Sequence, residues 1–323
     1  MRALIHAVKI RLITPQPLDF NSGNKITTVR WARILRKLGH NVTIEQKYGG
    51  KPSDLLVALH ARRSHASIQK FHRLYPHSPL IVALTGTDLY RDIHTDRDAQ
   101  RSLEVADRLV VLQELALAEL PKPFHSKTRV IYQSAEPYKT SAPPTAGAFK
   151  VCVIGHLREE KDPLRTALAV RQLPQTSKIE VLHVGRSLDN ALGKQAQAEA
   201  AGNPRYRWVG ELPYWMTRRV LARSHLLVIT SRMEGSSNVL CEAIASNVPV
   251  VASKISGLMG TLGKSYPGYF PVGDTAELTR LLLKAESDGA FYRSLKRCCA
   301  RVSVLIRPRR EIASWKMLLR ELQ

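Results

Sequence analysis

Two glutamates with small polar residues between them form the segment of this chain that is best equipped for chemistry. The spacing is Glu-x7-Glu, and the segment contains Glu234, Gly235, Ser236, Ser237, Asn238, Val239 and Glu242. Ser and Asn are good N-cap residues, so we expect a helix to begin near Val239 and to end at Asn247, where Asn tolerates left-handed backbone. A helix N-terminus that follows a Gly/Ser loop offers unpaired N–H groups and partial positive charge, which together suit a phosphate.

The two carboxylates are expected to bracket that phosphate position. Glu234 precedes it, and Glu242 lies about one turn into the helix. Like charges repel, so the carboxylates are poorly placed for the phosphate itself. They suit hydroxyl groups on either side of it, such as the ribose and the hexose of a nucleotide-sugar.

Short strands and helices alternate along the chain, and this pattern predicts parallel sheets with right-handed crossovers. Apolar runs at His225–Thr230 and 248–252 flank the Glu-x7-Glu segment as buried strands. Ligands of such sheets bind at the carboxyl ends of the strands. In the first half of the chain, those ends carry His60, Thr85, Gly86 and Asp88.

A second anion site is expected where the first strand, Lys9–Thr14, leads into a helix at Lys25–Leu38. The residues proposed to bind phosphate or acceptor there are Gly23, Asn24, Lys25, His60, Arg62, Arg63, Thr85, Gly86 and Asp88. Ser64, next to the two arginines, is expected to cap a helix. Arg30, Arg33 and Arg36 fall near one side of the first helix and are expected to be solvated.

The domain organisation follows from a linker rich in Pro, Ser, Thr and Gly. We predict an N-terminal domain at 1–140, a linker at 141–149, a C-terminal domain at 150–305 and a final helix at 306–323. Asp96-Arg97-Asp98 resembles a metal-binding motif, but it precedes a helix, so capping by Asp96 is expected instead.

Composition narrows the class of partner. The chain has 323 residues and a formal net charge of +22, which indicates anionic partners. No nucleic-acid-binding signature is present, and the four cysteines lack metal-ligand spacing. No apolar run approaches the ~18 residues of a membrane span, and charges interrupt the N-terminal stretch. We therefore expect a cytoplasmic protein without a nucleic-acid partner, and composition leaves anionic lipids and phosphorylated small molecules as candidate partners.

The Glu-x7-Glu segment with the following Ala-x-Ala and Pro-Val-Val-Ala-Ser resembles the donor site of retaining family-4 glycosyltransferases. The resemblance implies the GT-B fold, an α/β architecture of two Rossmann-like parallel-sheet domains facing an interdomain cleft. It implies that Glu234 meets the donor hexose, Glu242 the ribose and the loop amides the diphosphate. Asn247 replaces the usual Gly of the family.

Further donor residues follow from the same resemblance. Lys161 matches a lysine that grips the diphosphate, whereas His156 stands where the family has arginine, so we assign that cationic role to Arg158. Glu234, Arg158 and Lys161 are the expected catalytic residues. The segment around the nucleotide is completed by Arg186, Val209, Gly210 and Glu211.

A narrower resemblance rests on the Thr-Gly-Thr-Asp and His-Ala-Arg-Arg-Ser stretches at 85–88 and 60–64. With the Ser22–Thr27 and Val130–Ala135 stretches, they are similar to the selenosugar synthases of selenoneine biosynthesis. This implies that selenophosphate displaces UDP from a UDP-sugar, typically UDP-N-acetylglucosamine, and that Se–P hydrolysis releases a 1-selenosugar. No cofactor or metal is expected, because Arg158, Lys161 and the helix N-terminus would stabilise the departing UDP.

Two other functions remain open at this stage. One is a glycosyltransferase that acts on a lipid or lipopolysaccharide hydroxyl at the membrane surface; membrane contact is not favoured. The other is a protein that binds nucleotide-sugar or nucleic acid without turnover. The sequence does not decide the oligomeric state.

Overall fold

The chain folds as two compact units. The computed structural model describes residues 7–17, 21–138 and 147–322. Unit 1 comprises Met1–Ser134, Glu234–Asn238 and Pro308–Gln323, and unit 2 comprises Ala135–Met233 and Val239–Arg307. The first unit therefore ends before residue 140, and the 150–305 stretch gives five residues to unit 1. Most of the expected linker, 141–146, lies outside the described residues.

Twelve strands form two sheets in the described part of the chain. The strands are β1 Lys9–Ile13, β2 Asn41–Glu45, β3 Leu55–Leu59, β4 Leu80–Ala83, β5 Arg108–Val111, β6 Thr128–Val130, β7 Phe149–Ile154, β8 Ile179–Val184, β9 Tyr206–Trp208, β10 Leu226–Ile229, β11 Val250–Ser253 and β12 Tyr269–Phe270. The order is β2-β1-β3-β4-β5-β6 in unit 1 and β12-β11-β10-β7-β8-β9 in unit 2. All neighbouring strands run parallel, which confirms the predicted pair of Rossmann-like parallel sheets.

Most of the helices lie in the connections between strands, and the last three follow β12. They are α1 Gly23–Lys37, α2 His65–Leu74, α3 Ile93–Thr95, α4 Arg97–Val105, α5 Arg165–Arg171, α6 Asn190–Gly202, α7 Tyr214–Ala222, α8 Asn238–Ala245, α9 Ser256–Leu262, α10 Thr275–Ser287, α11 Gly289–Val302 and α12 Pro308–Arg320. A π-helical turn spans Asp88–Asp92, and 3₁₀ turns span Glu114–Glu119, Lys122–Phe124 and Glu159–Lys161. None of the helices in the described residues is long and apolar enough to cross a membrane.

Unit 1 is held together by a core that joins the first and last helices to the sheet. Trp31 of α1 and Trp315 of α12 are both fully buried, and their rings meet edge to face with centroids 4.8 Å apart. Such aromatic pairs contribute about 0.5–1.5 kcal/mol beyond area burial. The side chain of Ser22 accepts a hydrogen bond from the backbone N–H of Lys25, and so caps α1.

The central strands of both sheets are covered on both faces, and their sequences are therefore continuous apolar runs. β3 and β4 are buried at every position. In unit 2, β10 and β11 are likewise fully buried. The candidate site residues lie at the carboxyl ends of strands in these two sheets.

Local helix signals agree with the structure at most positions. Asp96 accepts a hydrogen bond from the Ala99 N–H, which confirms the predicted N-cap. Asn247 follows α8 with φ of 59°, the left-handed conformation that we predicted. Ser64 occupies the N-cap position of α2 as predicted, but its side chain does not cap the helix, because its hydroxyl donates to Leu59 O over 2.6 Å instead.

Candidate functional site

The strand order of unit 2 reverses between β7 and β10. Chain connections leave that point in opposite directions, and such a switch point opens a crevice at the carboxyl ends of the two strands. The loop after β7 runs from Gly155 to Asp162, and the segment after β10 begins at Thr230. Arg158, Lys161 and Glu242, three of the predicted donor residues, lie on these two connections.

Hydrogen bonds join the two loops at this switch point. Thr230 Oγ1 lies 2.8 Å from Lys161 O and 2.9 Å from Asp162 O. The backbone N–H of Arg232 donates to Glu160 O over 2.8 Å. Asp162 has left-handed backbone, with φ of 43°. The turn that carries Lys161 is therefore held by the neighbouring strand end, and sequence reasoning did not single out Thr230.

The loop after β7 also packs closely on the end of β8. A Cβ atom on Gly185 would lie 1.8 Å from Gly155 O, so only glycine fits there. His183, fully buried, donates from Nε2 to Gly155 O over 3.1 Å, and its Nδ1 accepts from the Tyr206 hydroxyl. Burial lowers the pKa of His183 to about 4, so the ring is neutral near pH 7.

The two cationic positions of this loop differ in their surroundings. His156, which replaces the arginine of the family pattern, accepts a hydrogen bond from the Arg186 N–H at 3.0 Å. Its ring therefore joins two loops. Arg158 Nε lies 4.0 Å from Glu160 Oε2, and its side chain is 36% exposed. The cationic group that faces solvent near Lys161 is therefore the Arg158 guanidinium, whereas the His156 ring is engaged between two loops.

Glu242 lies in a polar cluster within unit 2. Its Oε1 accepts a hydrogen bond from the Tyr214 hydroxyl at 2.9 Å, and its Oε2 lies 4.0 Å from Arg218 Nε. Arg218 is buried and donates from Nη2 to Glu136 O over 2.6 Å. Burial and then the Glu242 charge raise the pKa of Tyr214, so the phenol stays a donor. Tyr214 and Arg218 were not predicted; an aromatic and an arginine four positions apart on one helix were the available signal.

The third strand end of unit 2 that we predicted to contact the donor is the end of β9, and it lies beside these loops. The Val209 N–H donates to His183 O, and Gly185 N–H donates to Gly210 O over 2.8 Å. Gly210 has φ of 69°, a conformation that favours glycine. Arg186 and Glu211 are exposed at this edge. The backbone of Val209 and Gly210 is therefore fixed by β8, as a rigid platform requires.

In unit 1, the strand order reverses between β1 and β3. The connections that leave this point carry the start of α1, with Gly23, Asn24 and Lys25, and the turn that begins at His60. Lys25 Nζ donates to Asn21 Oδ1 over 3.1 Å. The structure therefore brings the predicted acceptor residues to the carboxyl edge of one sheet.

Buried acidic residues organise the turn after β3. Asp88 is fully buried and accepts hydrogen bonds from the N–H groups of Ala61, Thr85 and Gly86 at 2.8–3.0 Å. Its carboxylate thus shapes the loop rather than facing a ligand. Asp92, which sequence reasoning missed, accepts from Arg62 Nε over 2.8 Å.

His60 stands at the centre of this turn with unusual backbone. Its φ is 72°, its side chain is buried, and its Nε2 lies 3.0 Å from Thr87 Oγ1. Non-glycine residues held in left-handed backbone are concentrated at functional sites. Burial is the main cause that lowers the pKa of His60, opposed by the nearby charge of Asp88.

Unit 1 includes five residues of the Glu-x7-Glu segment, Glu234–Asn238, and these residues pack against other loops of unit 1. A Cβ on Gly235 would lie 2.5 Å from Thr85 O, so this close approach requires glycine. Glu234, Ser236 and Ser237 are buried. The Asn238 amide donates from Nδ2 to Gly23 O over 3.1 Å and accepts at Oδ1 from Arg30 at 2.8 Å. The side chain of Asn238 therefore holds α1, and Arg30 is not the solvated residue that we expected.

The predicted residues thus form two sets, one in each unit. Unit 1 holds Gly23, Asn24, Lys25, His60, Arg62, Arg63, Thr85, Gly86, Asp88, Glu234, Gly235, Ser236, Ser237 and Asn238; unit 2 holds Arg158, Lys161, Arg186, Val209, Gly210, Glu211, Val239 and Glu242. Across residues 7–17, 21–138 and 147–322, no group of three or more His, Cys, Asp or Glu side chains is arranged to hold a metal ion.

Comparison with solved structures shows which architecture the two sheets define. Sucrose-phosphate synthase (tll1590) from Thermosynechococcus elongatus superimposes with a TM-score of 0.76 at 18% identity, over 97% of this chain and 98% of that one. Anabaena Alr3699/HepE in complex with UDP gives 0.76 at 17% identity, over 97% and 100%. The fold is that of the GT-B glycosyltransferases.

The sequence comparison then identifies the family. The profile of "Glycosyl transferases group 1" matches residues 137–298, half of the chain, so the protein belongs to that family. A 2-deoxystreptamine glucosyltransferase from Streptomyces kanamyceticus is 28% identical over 149 residues. That match covers 46% of this chain and spans only 38% of the length of that relative.

Proposed function

We propose that the chain is a glycosyltransferase that takes its sugar from a UDP-sugar donor. The observation that carries the proposal is the position of Glu242. It lies in α8 after β10, beside the switch point of unit 2, with Tyr214 donating to it. A carboxylate with one oxygen already accepting from a phenol is suited to accept from a ribose hydroxyl as well. Support comes from family membership and from Anabaena HepE, which was solved with UDP, with UDP and glucose, and with UDP-glucose.

Each donor residue takes one part of the nucleotide-sugar in this proposal. Glu242 meets the ribose, and the backbone of Val209 and Gly210 lies along the base. The cations of Arg158 and Lys161 meet the diphosphate, together with the amides of Ser236, Ser237 and the α8 N-terminus. Glu234 meets the hexose, while Arg186 and Glu211 border the nucleotide. Cations and oriented dipoles then stabilise the charge that develops on the departing UDP.

The acceptor that we propose is selenophosphate, with UDP-N-acetylglucosamine as donor. Selenium is a soft nucleophile, so its attack on the anomeric carbon needs no strong general base. The C1–Se bond forms as the C1–O bond to UDP breaks, and UDP leaves with the electron pair. Water then attacks phosphorus, the Se–P bond breaks, and phosphate and the 1-selenosugar are released. The sequence similarity of the 60–64 and 85–88 stretches supports this acceptor.

The cations proposed for the acceptor belong to unit 1. Arg62 shares its guanidinium with Asp92, so part of its charge is already neutralised. Arg63 is exposed, and Lys25 Nζ donates to the neutral Asn21 amide. Lys25 and Arg63 therefore offer the acceptor more uncompensated charge than Arg62 does.

The test is an incubation of the protein with UDP-N-acetylglucosamine, with and without selenophosphate, followed by mass spectrometry and UDP quantification. Selenophosphate-dependent UDP release with a selenium-containing sugar is the expected result. If an amino-alcohol, sugar or lipid hydroxyl accepts the hexose and selenophosphate does not, the UDP-sugar function stands and the acceptor is wrong. The name of the Streptomyces relative makes a hydroxyl acceptor the relevant competitor. Absence of UDP release from any UDP-sugar contradicts both.

A further inference from the structure

A buried carboxylate of the last helix forms the first link of a chain of contacts within unit 1. Glu311 in α12 is 1% exposed. Its oxygens accept from Arg30 Nε at 3.1 and 3.0 Å and from Trp31 Nε1 at 2.7 Å. They also accept from the backbone N–H and the hydroxyl of Ser134, at 3.0 and 2.5 Å. The carboxylate is thus held from three directions and cannot rotate without losing partners.

Arg30 transmits this constraint to the Glu-x7-Glu segment. Its Nε faces Glu311, while its Nη1 donates to Asn238 Oδ1 over 2.8 Å. A guanidinium is planar and rigid, so fixing one edge of it on a carboxylate fixes the direction of the other edge. The ammonium of a lysine would be a single point of charge and would not reproduce this two-sided contact.

Both polar atoms of the Asn238 side-chain amide are hydrogen-bonded. Oδ1 accepts from Arg30, and Nδ2 donates to Gly23 O at 3.1 Å, with Thr27 Oγ1 at 3.4 Å. Gln133, buried, also donates to Thr27 Oγ1 over 2.6 Å. The amide therefore cannot flip, since a flip would set a donor against a donor on one side and an acceptor against an acceptor on the other.

We infer that Glu311 and Arg30 are positioning residues that hold Asn238, and with it the loop Glu234–Asn238, in the geometry that the sugar donor requires. The inference rests on the proposed function. Asn238 is the first residue of α8 and follows the two serines whose amides meet the diphosphate. Glu234, at the other end of the loop, meets the hexose. The last helix thus acts on donor geometry through two side chains that do not touch the substrate.

The chain offers a matched control at the end of the same helical segment. Glu321 follows α12 and accepts from Arg108 of β5 and Arg129 of β6 at 2.9–3.1 Å, so it also joins the C-terminal segment to the sheet of unit 1 through two arginines. The other hydrogen bonds that these two arginine side chains donate go to the backbone carbonyls of Asp107, Ser126 and Thr128. Removing the charge of Glu321 therefore weakens the attachment of the C-terminal segment but leaves the contact between Glu311 and Arg30 in place.

The experiment compares Arg30→Lys, Glu311→Gln, Asn238→Asp and Glu321→Gln by hydrogen–deuterium exchange and by steady-state kinetics. Asn238→Asp keeps the acceptor toward Arg30 but removes the donor toward Gly23. We expect the first three variants to raise amide exchange in the peptide that contains Glu234–Asn238, and to lower kcat/KM for the UDP-sugar by about 10–100-fold, as small misplacements of reacting groups do. Glu321→Gln should change neither.

Two results overturn the inference. One is unchanged loop exchange in folded Arg30→Lys. The other is an equal loss of kcat/KM in Glu321→Gln and Glu311→Gln, which would show a general effect of detaching the C-terminal segment. If Glu311→Gln does not fold, Arg30→Lys and Asn238→Asp still decide the outcome. The exchange measurement needs no substrate, so it separates failure of this inference from failure of the proposed function, which appears as absent turnover in the wild type.

Discussion

The hydroxyl of Tyr214 donates a hydrogen bond to Oε1 of Glu242 over 2.9 Å, and Arg218 Nη1 donates to the same hydroxyl over 3.1 Å. This arrangement orients the carboxylate before any ligand arrives. Glu242 therefore has a second role besides ligand binding, because its removal leaves the buried Arg218 without its nearest carboxylate. Substitutions at Glu242 therefore have to separate ligand binding from the stability of the cluster.

The first prediction concerns the affinity of the protein for UDP. Glu242→Gln keeps the shape of the side chain but removes its charge, so it should weaken UDP binding by about 1.5–3 kcal/mol, the free energy of a hydrogen bond to a charged group. Isothermal titration calorimetry measures the change. Glu199→Gln is the control, because Glu199 is also buried in unit 2 and accepts from Arg171 at 2.8 Å. Equal UDP affinity in wild type and Glu242→Gln would show that Glu242 does not contact UDP.

The second prediction distinguishes the acceptor from the donor. Lys25→Met should raise the KM for selenophosphate about tenfold or more, because a charge-assisted contact is lost, while the KM for UDP-N-acetylglucosamine stays nearly constant. Lys37→Met, at the exposed far end of the same helix, should alter neither constant. Added salt should slow the wild-type reaction, since it screens the attraction between the basic site and the anion. A parallel rise in both KM values would contradict the assignment of Lys25 to the acceptor.

The third prediction is that turnover does not need a divalent metal. Arg158 and Lys161, with the α8 N-terminus, are proposed to stabilise the departing diphosphate. Activity should persist in excess EDTA and should not rise when Mg²⁺ or Mn²⁺ is restored. Loss of turnover with chelator and its recovery with either ion would show that the cations of the β7 loop are insufficient.

The fourth prediction uses the close approach of two glycines. Gly185→Ala would force a Cβ against Gly155 O, so the loop after β7 must move. We expect a loss of about 1–3 kcal/mol in the free energy of unfolding, as overpacking produces, together with reduced turnover. Gly202→Ala is the control, because a Cβ there meets nothing within 4 Å. Urea unfolding that shows the same stability for Gly185→Ala and wild type would refute the steric argument.

The fifth prediction concerns stability at low pH. Burial lowers the pKa of His183 to about 4, from the ordinary value of 6.5. As pH falls below 6.5 the unfolded chain takes up a proton that the folded ring resists, so folding free energy is lost until pH reaches about 4. The shift corresponds to about 3 kcal/mol. Urea unfolding from pH 7 to pH 4 should be less steeply dependent on pH in His183→Gln than in wild type; identical slopes would contradict this role.

Most of the fold was predictable from the sequence, because its signals are local. Apolar runs bounded by turn residues mark β3, β4, β10 and β11, and all four are buried in the structure. Asp96 caps α4 through a neighbour three positions away, and Asn247 adopts left-handed backbone at a helix end. Such features depend on residues close in the chain, so their spacing alone is informative.

The partners of the candidate site residues were decided by the tertiary structure alone. Arg30 and Glu311 are 281 positions apart, and nothing in the sequence near either residue indicates the other. The same holds for Arg62 and Asp92 and for Tyr214 and Glu242, which lie on different elements. Whether a charged side chain is solvated, neutralised by a partner or turned toward a ligand depends on which elements the folded sheet brings side by side. The sequence determined by itself which residues could do the chemistry, whereas only packing decided which of them are committed to holding others in place.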